Sequence, residues 1–280
     1  MRILKVINNN VVNCLDNDTE LVVMGKGLGF GQKPGNSIGM ENVEKVFRMD
    51  SMESKEDFIK LKELFSQLPP DLLEVCSQII EHANHILGYR LNESIYLTLT
   101  DHIHFAIYRT KQGMYLHNAL LTEVKVFYPK EYAIGEYALE YIELKQGVKL
   151  SEDEAASIAL HLVNAEYDSS MSNTVRVTGY LQPMLSILEN KEQLNLNKNH
   201  ICYDELIVHL KFLAMQSLEY EKSWENSALV DAVRHSLSYE YECASEIAEF
   251  LKEQSGKEVS QTERAYLAIC ISRACEIDTK

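Results

Sequence analysis

The sequence predicts a multidomain chain: a small antiparallel β domain followed by two tandem all-α, helical-bundle domains. Three observations carry this prediction. In the first fifty residues apolar runs alternate with Asn/Asp turn signals, whereas further on the hydrophobic period changes from two to 3.6. Composition changes at the same place: residues 1–50 hold six Lys/Arg and six acids, so the whole net charge of −15 lies beyond them, and six of the twelve glycines fall between Gly25 and Gly39. The helical part also repeats, at a spacing of 107 to 109 residues.

In chain order, residues 3–7, 11–15 and 21–24 read as strands separated by Asn8-Asn9-Asn10 and Asp16-Asn17-Asp18. Residues 43–47 supply a fourth strand after the glycine-rich loop. So small a sheet buries too little apolar area to stand alone and is expected to dimerise or to lean on a neighbour, dimerisation being preferred. Residues 51–57 read as a linker or helix start. Pro69-Pro70 opens a helix whose Leu72, Val75, Cys76, Ile79, Ile80, Ala83, Ile86 and Leu87 share one face. The repeat pairs His102-Ile103-His104-Phe105 with His209-Leu210-Lys211-Phe212, and Gly147 with Gly256. It also pairs the capping boxes Ser151-x-x-Glu154 and Ser260-x-x-Glu263, and His161 with Cys270. That period fits two tandem domains rather than solenoid units. The expected domains are 1–56, 57–170 and 171–280, with the polar stretch 168–173 as the second joint.

No run approaches the roughly 18 to 20 apolar residues of a membrane span, so no membrane insertion is expected. Six cysteines without CxxC spacing and an N-terminus without an apolar leader point to the reducing cytoplasm. The acidic body would repel nucleic acid, which leaves the neutral first fifty residues as the one segment suited to it.

The glycine window fails both the Walker and the dinucleotide spacing, since Lys26 precedes Gly27 and Phe30 stands where a glycine is needed. A bare backbone, Phe30 and the lysines Lys26 and Lys33 suit stacking on a base with phosphate contacts beside it; a flexible hairpin loop is the other reading. Asn8-Asn9-Asn10 is equally open between a turn and contacts to base edges. His102 and His161, each beside its helix's apolar stripe, are expected to meet at a shared, partly exposed site, where Asp101 could help hold the His102 ring. No HExxH or HxxxH pair supports a metal, and neither metal nor other cofactor is expected. The alternative is an all-helical metal-dependent phosphohydrolase using His102, His161 and Asp101, although the Asp-His order is reversed from that of such enzymes. Without an N-terminal helix-turn-helix pattern, DNA is not the expected partner.

Lys5-Val6-Ile7-Asn8-Asn9-Asn10-Val11-Val12, residues 22–30 and residues 43–47 resemble the co-antiterminator RNA-binding domain of the BglG/LicT/SacY transcriptional antiterminators. The helical repeats resemble the tandem regulatory domains (PRDs) of that family, with Leu99-Thr100-Asp101-His102 and residues 159–166 in the first and residues 209–212 in the second. The resemblance implies a non-enzymatic protein with no catalytic residues. A homodimer of the N-terminal domain would clamp a leader-mRNA hairpin and prevent terminator formation in a sugar-utilisation operon, with β-glucosides the favoured sugar. It implies Lys5, Asn10, Gly25, Lys26, Gly27 and Phe30 as RNA contacts, Phe30 stacking and the glycines admitting the RNA backbone. It implies phosphorylation of His102, His161 and His209 by the phosphotransferase system, with Asp101 supporting. The sugar permease would act on the first regulatory domain to inactivate, and HPr on the second to favour activity. Cys270 departs from the family where many relatives carry a further histidine, so control through the second domain should rest on His209 alone or be weaker. Residues 31–34 are less basic than in many relatives, and His104 and His235 match no family phosphosite.

Overall fold

The computed structural model describes residues 1–49, 54–167, 171–218 and 225–275. They form two compact units, Met1–Ser169 and Ser170–Lys280. Residues 51–53 of the expected linker and 168–170 of the expected second joint lie outside the described residues.

The first unit opens with β1 (Arg2–Val6), β2 (Val11–Asp16), β3 (Thr19–Met24) and β4 (Lys45–Arg48), an antiparallel meander in chain order. Asn17 and Asp18, at φ 46° and 64°, make the two-residue turn between β2 and β3. A tight hairpin needs that left-handed backbone, and Asn and Asp tolerate it. The fourth strand begins later than the apolar run Val43–Phe47 suggests, because the Val43 N–H is still in a turn, donating to Met40 O at 3.3 Å.

Alternation along the strands puts Val11, Val22, Met24 and Phe47 on one face and Ile3, Val12, Cys14, Leu21 and Val23 on the other. The glycine-rich loop closes the second face with Leu28, Ile38 and Val43. It also runs along β1, where Ile3 N–H donates to Asn36 O and Gly35 N–H to Ile3 O, both at 2.8 Å. An edge satisfied in this way is a poor template for a stray strand. The first face packs on helices of the same unit: Phe47 meets Phe65 and Tyr96 edge-on, with centroids 5.7 and 4.9 Å apart. Ion pairs flank the contact, Lys62 to Glu20 at 2.6 Å and Lys45 to Glu93 at 3.1 Å. Of the two supports the sequence leaves open for this sheet, the neighbour is present within the chain.

The helices of the first unit are α1 (Lys55–Gln67), α2 (Pro70–Leu87), α3 (Ile95–Lys111), α4 (Leu121–Phe127), α5 (Pro129–Gln146) and α6 (Glu152–Tyr167). Those of the second are α7 (Met171–Glu189), α8 (Ile201–Leu218), α9 (Ser227–Ser236), α10 (Ser238–Ser255) and α11 (Gln261–Ala274). Ser54 caps α1, its Oγ accepting the Asp57 N–H at 3.1 Å. Pro70 sits in the first turn of α2, where its missing N–H costs nothing. The sequence repeat is a repeat of packing: α3 lies on α6 as α8 lies on α11, α5 on α6 as α10 on α11, and α2 on α5 as α7 on α10. Gly147 and Gly256 end α5 and α10 in the same left-handed conformation.

One of the two capping boxes is not what its sequence suggests. Ser260 Oγ accepts the Glu263 N–H at 3.1 Å, as the motif requires. At the other, the Glu154 N–H donates to the backbone oxygen of Ser151 at 3.0 Å, and the Glu154 carboxylate turns away to Arg109.

Helices α5 and α6 approach closely at Gly135, where a Cβ would lie 2.3 Å from Ala155 O. Gly135→Ala should therefore destabilise the chain by about 1–3 kcal/mol despite the better helix propensity of alanine. Urea denaturation of the full chain measures this, and an unchanged midpoint would show that α6 has room to move.

Candidate functional site

Two surfaces collect the chemistry-bearing residues. The first is the glycine-rich loop, which folds back onto the Asn8–Asn10 turn. Gly25 N–H donates to Asn10 O, Gly29 N–H to Asn9 O and Gly27 N–H to Asn10 Oδ1, each at 2.9 Å. Asn8 serves the structure: its Oδ1 accepts the Asn10 N–H and its Nδ2 donates to Phe65 O, both at 2.9 Å. Lys5, Lys26, Gly27 and Phe30 face solvent, Phe30 at 75% exposure. A phenyl ring that exposed contributes nothing to the core and is free to stack. Asn10, Gly25 and Lys26 also line a shallow pocket with Glu44 and with Pro70, Leu73 and Glu74 of α2.

Gly25 also has a packing role. It is buried, and a Cβ there would lie 1.9 Å from Asn42 O, so its bareness is what lets the loop close on itself. Gly29 is constrained likewise by Asn8 O, at 2.2 Å. Gly27 differs, with φ 68° and open space above it.

The second surface lies between α3 and α6, where His102 and His161 come together with ring centroids 4.8 Å apart. Each helix brings two groups seven residues, or two turns, apart on one face: His102 and Arg109 on α3, Glu154 and His161 on α6. Arg109 Nη2 donates to Glu154 Oε1 at 2.8 Å, and both residues are buried. His102 Nε2 lies 3.0 Å from Glu154 Oε2, close enough for an ion pair but misaligned for a hydrogen bond, and both atoms are enclosed without one. Burial opposes ionisation of Glu154, yet His102 and Arg109 outweigh it and hold its carboxyl below the usual range. Asp101, expected to hold the His102 ring, is exposed; the carboxylate at that ring is Glu154. Sequence motifs single out Glu154 only as a helix cap, and Arg109 not at all. The seven-residue spacing from each histidine is the signal that could have found them.

His161 is half-buried overall, but its Nδ1 is sealed and has no hydrogen-bond partner. Desolvation, with the His102 charge acting in the same direction and Glu154 against it, brings its pKa down to about 3. In the second unit, desolvation lowers the pKa of His209 on α8, while a hydrogen bond to the Glu263 backbone pulls it up. Its Nε2 is enclosed without a partner, and Phe212 stacks beside it at 6.0 Å. A neutral imidazole with an unused nitrogen lone pair is a nucleophile for an incoming electrophile such as a phosphoryl group. Cys270 is half-buried on α11, and desolvation pushes its thiol up. His104 and His235 are exposed. Among the described residues no three His, Cys, Asp or Glu side chains are arranged to hold a metal ion.

Comparison with known proteins gives three sets of matches. The CAT RNA binding domain model matches residues 1–56, and the PRD domain model matches residues 77–165 and again 182–274. The transcription antiterminator LicT of Bacillus subtilis (strain 168) is 39% identical over 275 residues, covering 98% of each chain. The beta-glucoside operon antiterminator of Dickeya chrysanthemi is 39% identical over 275 residues, covering 98% of this chain and 96% of its own. Among solved structures, the crystal structure of GlcT CAT-PRDI superposes with a TM-score of 0.53 at 34% identity, covering 59% of this chain and 96% of that one.

The buried imidazole makes stability depend on pH. With the unfolded ring titrating near 6.5 and the folded one near 3, the unfolded chain takes up the extra proton in between, so stability falls as pH drops below about 6.5. Between pH 7.5 and pH 5 the loss through His161 is on the order of 2 kcal/mol. Thermal melts across that range should show it, and His161→Gln should flatten the dependence.

Proposed function

The chain belongs to the family of transcription antiterminators that join a CAT RNA binding domain to two PRD domains, and from that premise we propose how it works. It binds a hairpin in a nascent leader transcript through its N-terminal sheet, prevents the overlapping terminator from forming, and so lets a sugar-utilisation operon be transcribed. β-Glucosides are the sugar class, in keeping with the beta-glucoside operon antiterminator among its relatives. The observation that supports this reading best is the order of parts in one chain: a neutral sheet module bearing exposed Lys5, Lys26 and Phe30, then two acidic helical modules, each with an enclosed imidazole nitrogen.

Each part has a physical role. Phe30 stacks on an unpaired base, Lys5 and Lys26 meet phosphates, and Gly27 lets the RNA backbone approach. Asn10 and Gly25 shape the loop that presents them. The negative charge of residues beyond 50 keeps RNA off the rest of the chain. Two copies of the sheet module clamp the hairpin together. The boundaries are those read from the sequence, 1–56, 57–170 and 171–280. His102, His161 and His209 accept phosphate from the phosphotransferase system: the sugar permease modifies the first regulatory domain and inactivates, while HPr modifies the second and favours activity. A phosphate adds negative charge and acceptor oxygens between packed helices, which is how it biases one arrangement over another.

The test is gel-shift binding of the full chain to the hairpin of its own operon leader, with a scrambled hairpin as control. The full chain is used because a fragment ending at residue 56 would bare the Val11, Val22, Met24 and Phe47 face. Phe30→Ala should weaken binding about 5- to 150-fold, the worth of one stacked base. Lys26→Ala should weaken all hairpins alike and lower the salt slope by about one. Equal affinity for both hairpins would reject the RNA assignment. Phosphate transfer from HPr should label the chain and be lost in His209→Ala; labelling that persists in that variant would reject His209 as the acceptor.

A further inference from the structure

Arg109 and Glu154 have no part in the function proposed above, yet they form the most enclosed ion pair among the described residues, with side chains 9% and 7% exposed. Their surroundings are unfinished. Of the seven buried side-chain polar atoms without a hydrogen bond among the described residues, four belong here: His102 Nε2, His161 Nδ1, Arg109 Nε and Glu154 Oε2. The Arg109 guanidinium, which keeps a spare Nε–H, and the His102 ring converge on the Glu154 carboxylate, and the His161 Nδ1 beside them has no partner. Folded chains rarely leave such groups open without a use for them.

The second unit lacks this arrangement. At the repeat spacing His209 matches His102 and Glu263 matches Glu154, but Gln216 stands where Arg109 does and Cys270 where His161 does. The cation and the second imidazole are absent together.

We propose that Arg109 and Glu154 form a counter-ion switch for a phosphoryl group on His102. In the unmodified chain Glu154 holds the place of the phosphate, and on modification Arg109 passes from the carboxylate to the phosphate. The switch rests on His102 being a phosphoryl acceptor, as read above. For the transfer from a phosphohistidine on a donor protein, His102 releases Glu154 and carries its ring proton on Nδ1, and the Nε2 lone pair so freed forms the new N–P bond. The donor's N–P bond breaks, its imidazole keeps the bonding pair, and nothing is oxidised or reduced. The product places a dianion with three acceptor oxygens where Glu154 Oε2 now lies 3.0 Å from the ring. Two anions cannot share so enclosed a space, and the guanidinium fork suits a phosphate at least as well as a carboxylate. The carboxylate therefore leaves. Glu154 belongs to the first turn of α6, so its departure frees the start of α6 from α3 and carries the event beyond the site. In the second unit no guanidinium occupies the matching position, and a phosphate on His209 keeps its full charge for a partner to read. Arg109 is thus a positioning residue, and the two regulatory units answer phosphate differently.

The test treats the full chain with phosphoramidate, a small phosphoryl donor that modifies imidazoles without a protein partner and releases ammonia. Phosphorus NMR follows each phosphohistidine, His102→Ala and His209→Ala assign the signals, and the His209 phosphate in the same chain is the reference. The His102 phosphate should outlive the His209 phosphate roughly tenfold, the worth of one charge-assisted hydrogen bond, and should resonate at a different position. Arg109→Gln should remove both differences and Arg109→Lys should restore part of the lifetime. Glu154→Gln, which removes the competing anion, should raise the extent of His102 modification and leave His209 unchanged. Because Arg109→Gln alone strands a buried carboxylate, Arg109→Gln with Glu154→Gln is measured beside it as a neutral pair, with circular dichroism melts confirming the fold. Identical lifetimes and resonances in the wild type and this double variant would overturn the switch while leaving His102 an acceptor. No phosphate on His102 would overturn the acceptor assignment, and the switch with it.

Discussion

The constraint on which the first unit depends is that its four-stranded sheet has two apolar faces and too few residues to cover them both. One face is closed by the glycine-rich loop through Leu28, Ile38 and Val43. The other, Val11, Val22, Met24 and Phe47, is closed by α1, α2 and α3, and Phe47 is wedged between Phe65 and Tyr96. Burial at about 25 cal/mol per Å² makes such a face costly to expose. The loop that presents Phe30 and Lys26 covers the face opposite those helices, and its start meets α2, where Gly25 and Lys26 line a pocket with Pro70, Leu73 and Glu74. The sheet and the helices that carry His102 and His161 share one hydrophobic core, so a change in helix packing has a direct route to the sheet.

Charge is arranged with the same economy. The first fifty residues are neutral and carry the exposed lysines, while the remainder is strongly acidic. Within that acidic body the histidine site keeps charge off one ring and pairs the local anion. His161 is kept neutral by desolvation, and the local anion, Glu154, is held by Arg109. Removing either partner of so enclosed a pair would cost about 3–5 kcal/mol.

The two helical units show how one scaffold supports different chemistry. Their helices pack in the same pattern, and the left-handed glycines Gly147 and Gly256 end matching helices. Apolar burial sets that pattern, and it tolerates change at positions that touch only the polar seam. Arg109 against Gln216 and His161 against Cys270 are changes of that kind.

The sequence by itself determined whatever depends on near neighbours. The turns at Asn8–Asn10 and Asn17-Asp18 and the Pro70 helix start were legible, because each is set by backbone preference within a few residues, and the repeat was legible as a pattern of matching residues. The meeting of His102 with His161 was legible too, since apolar stripes fix which side of each helix turns inward. Other roles were decided only by the tertiary structure. Glu154 reads locally as a capping residue, but Arg109, forty-five positions earlier, claims its carboxylate because a buried guanidinium needs an anion more than a helix end needs a second cap. That Gly25 must be bare for the loop to close against the carbonyl of Asn42 is likewise seen only in the fold. Long-range contact, desolvation and the space left by a distant backbone are properties of the folded chain, and no local pattern encodes them.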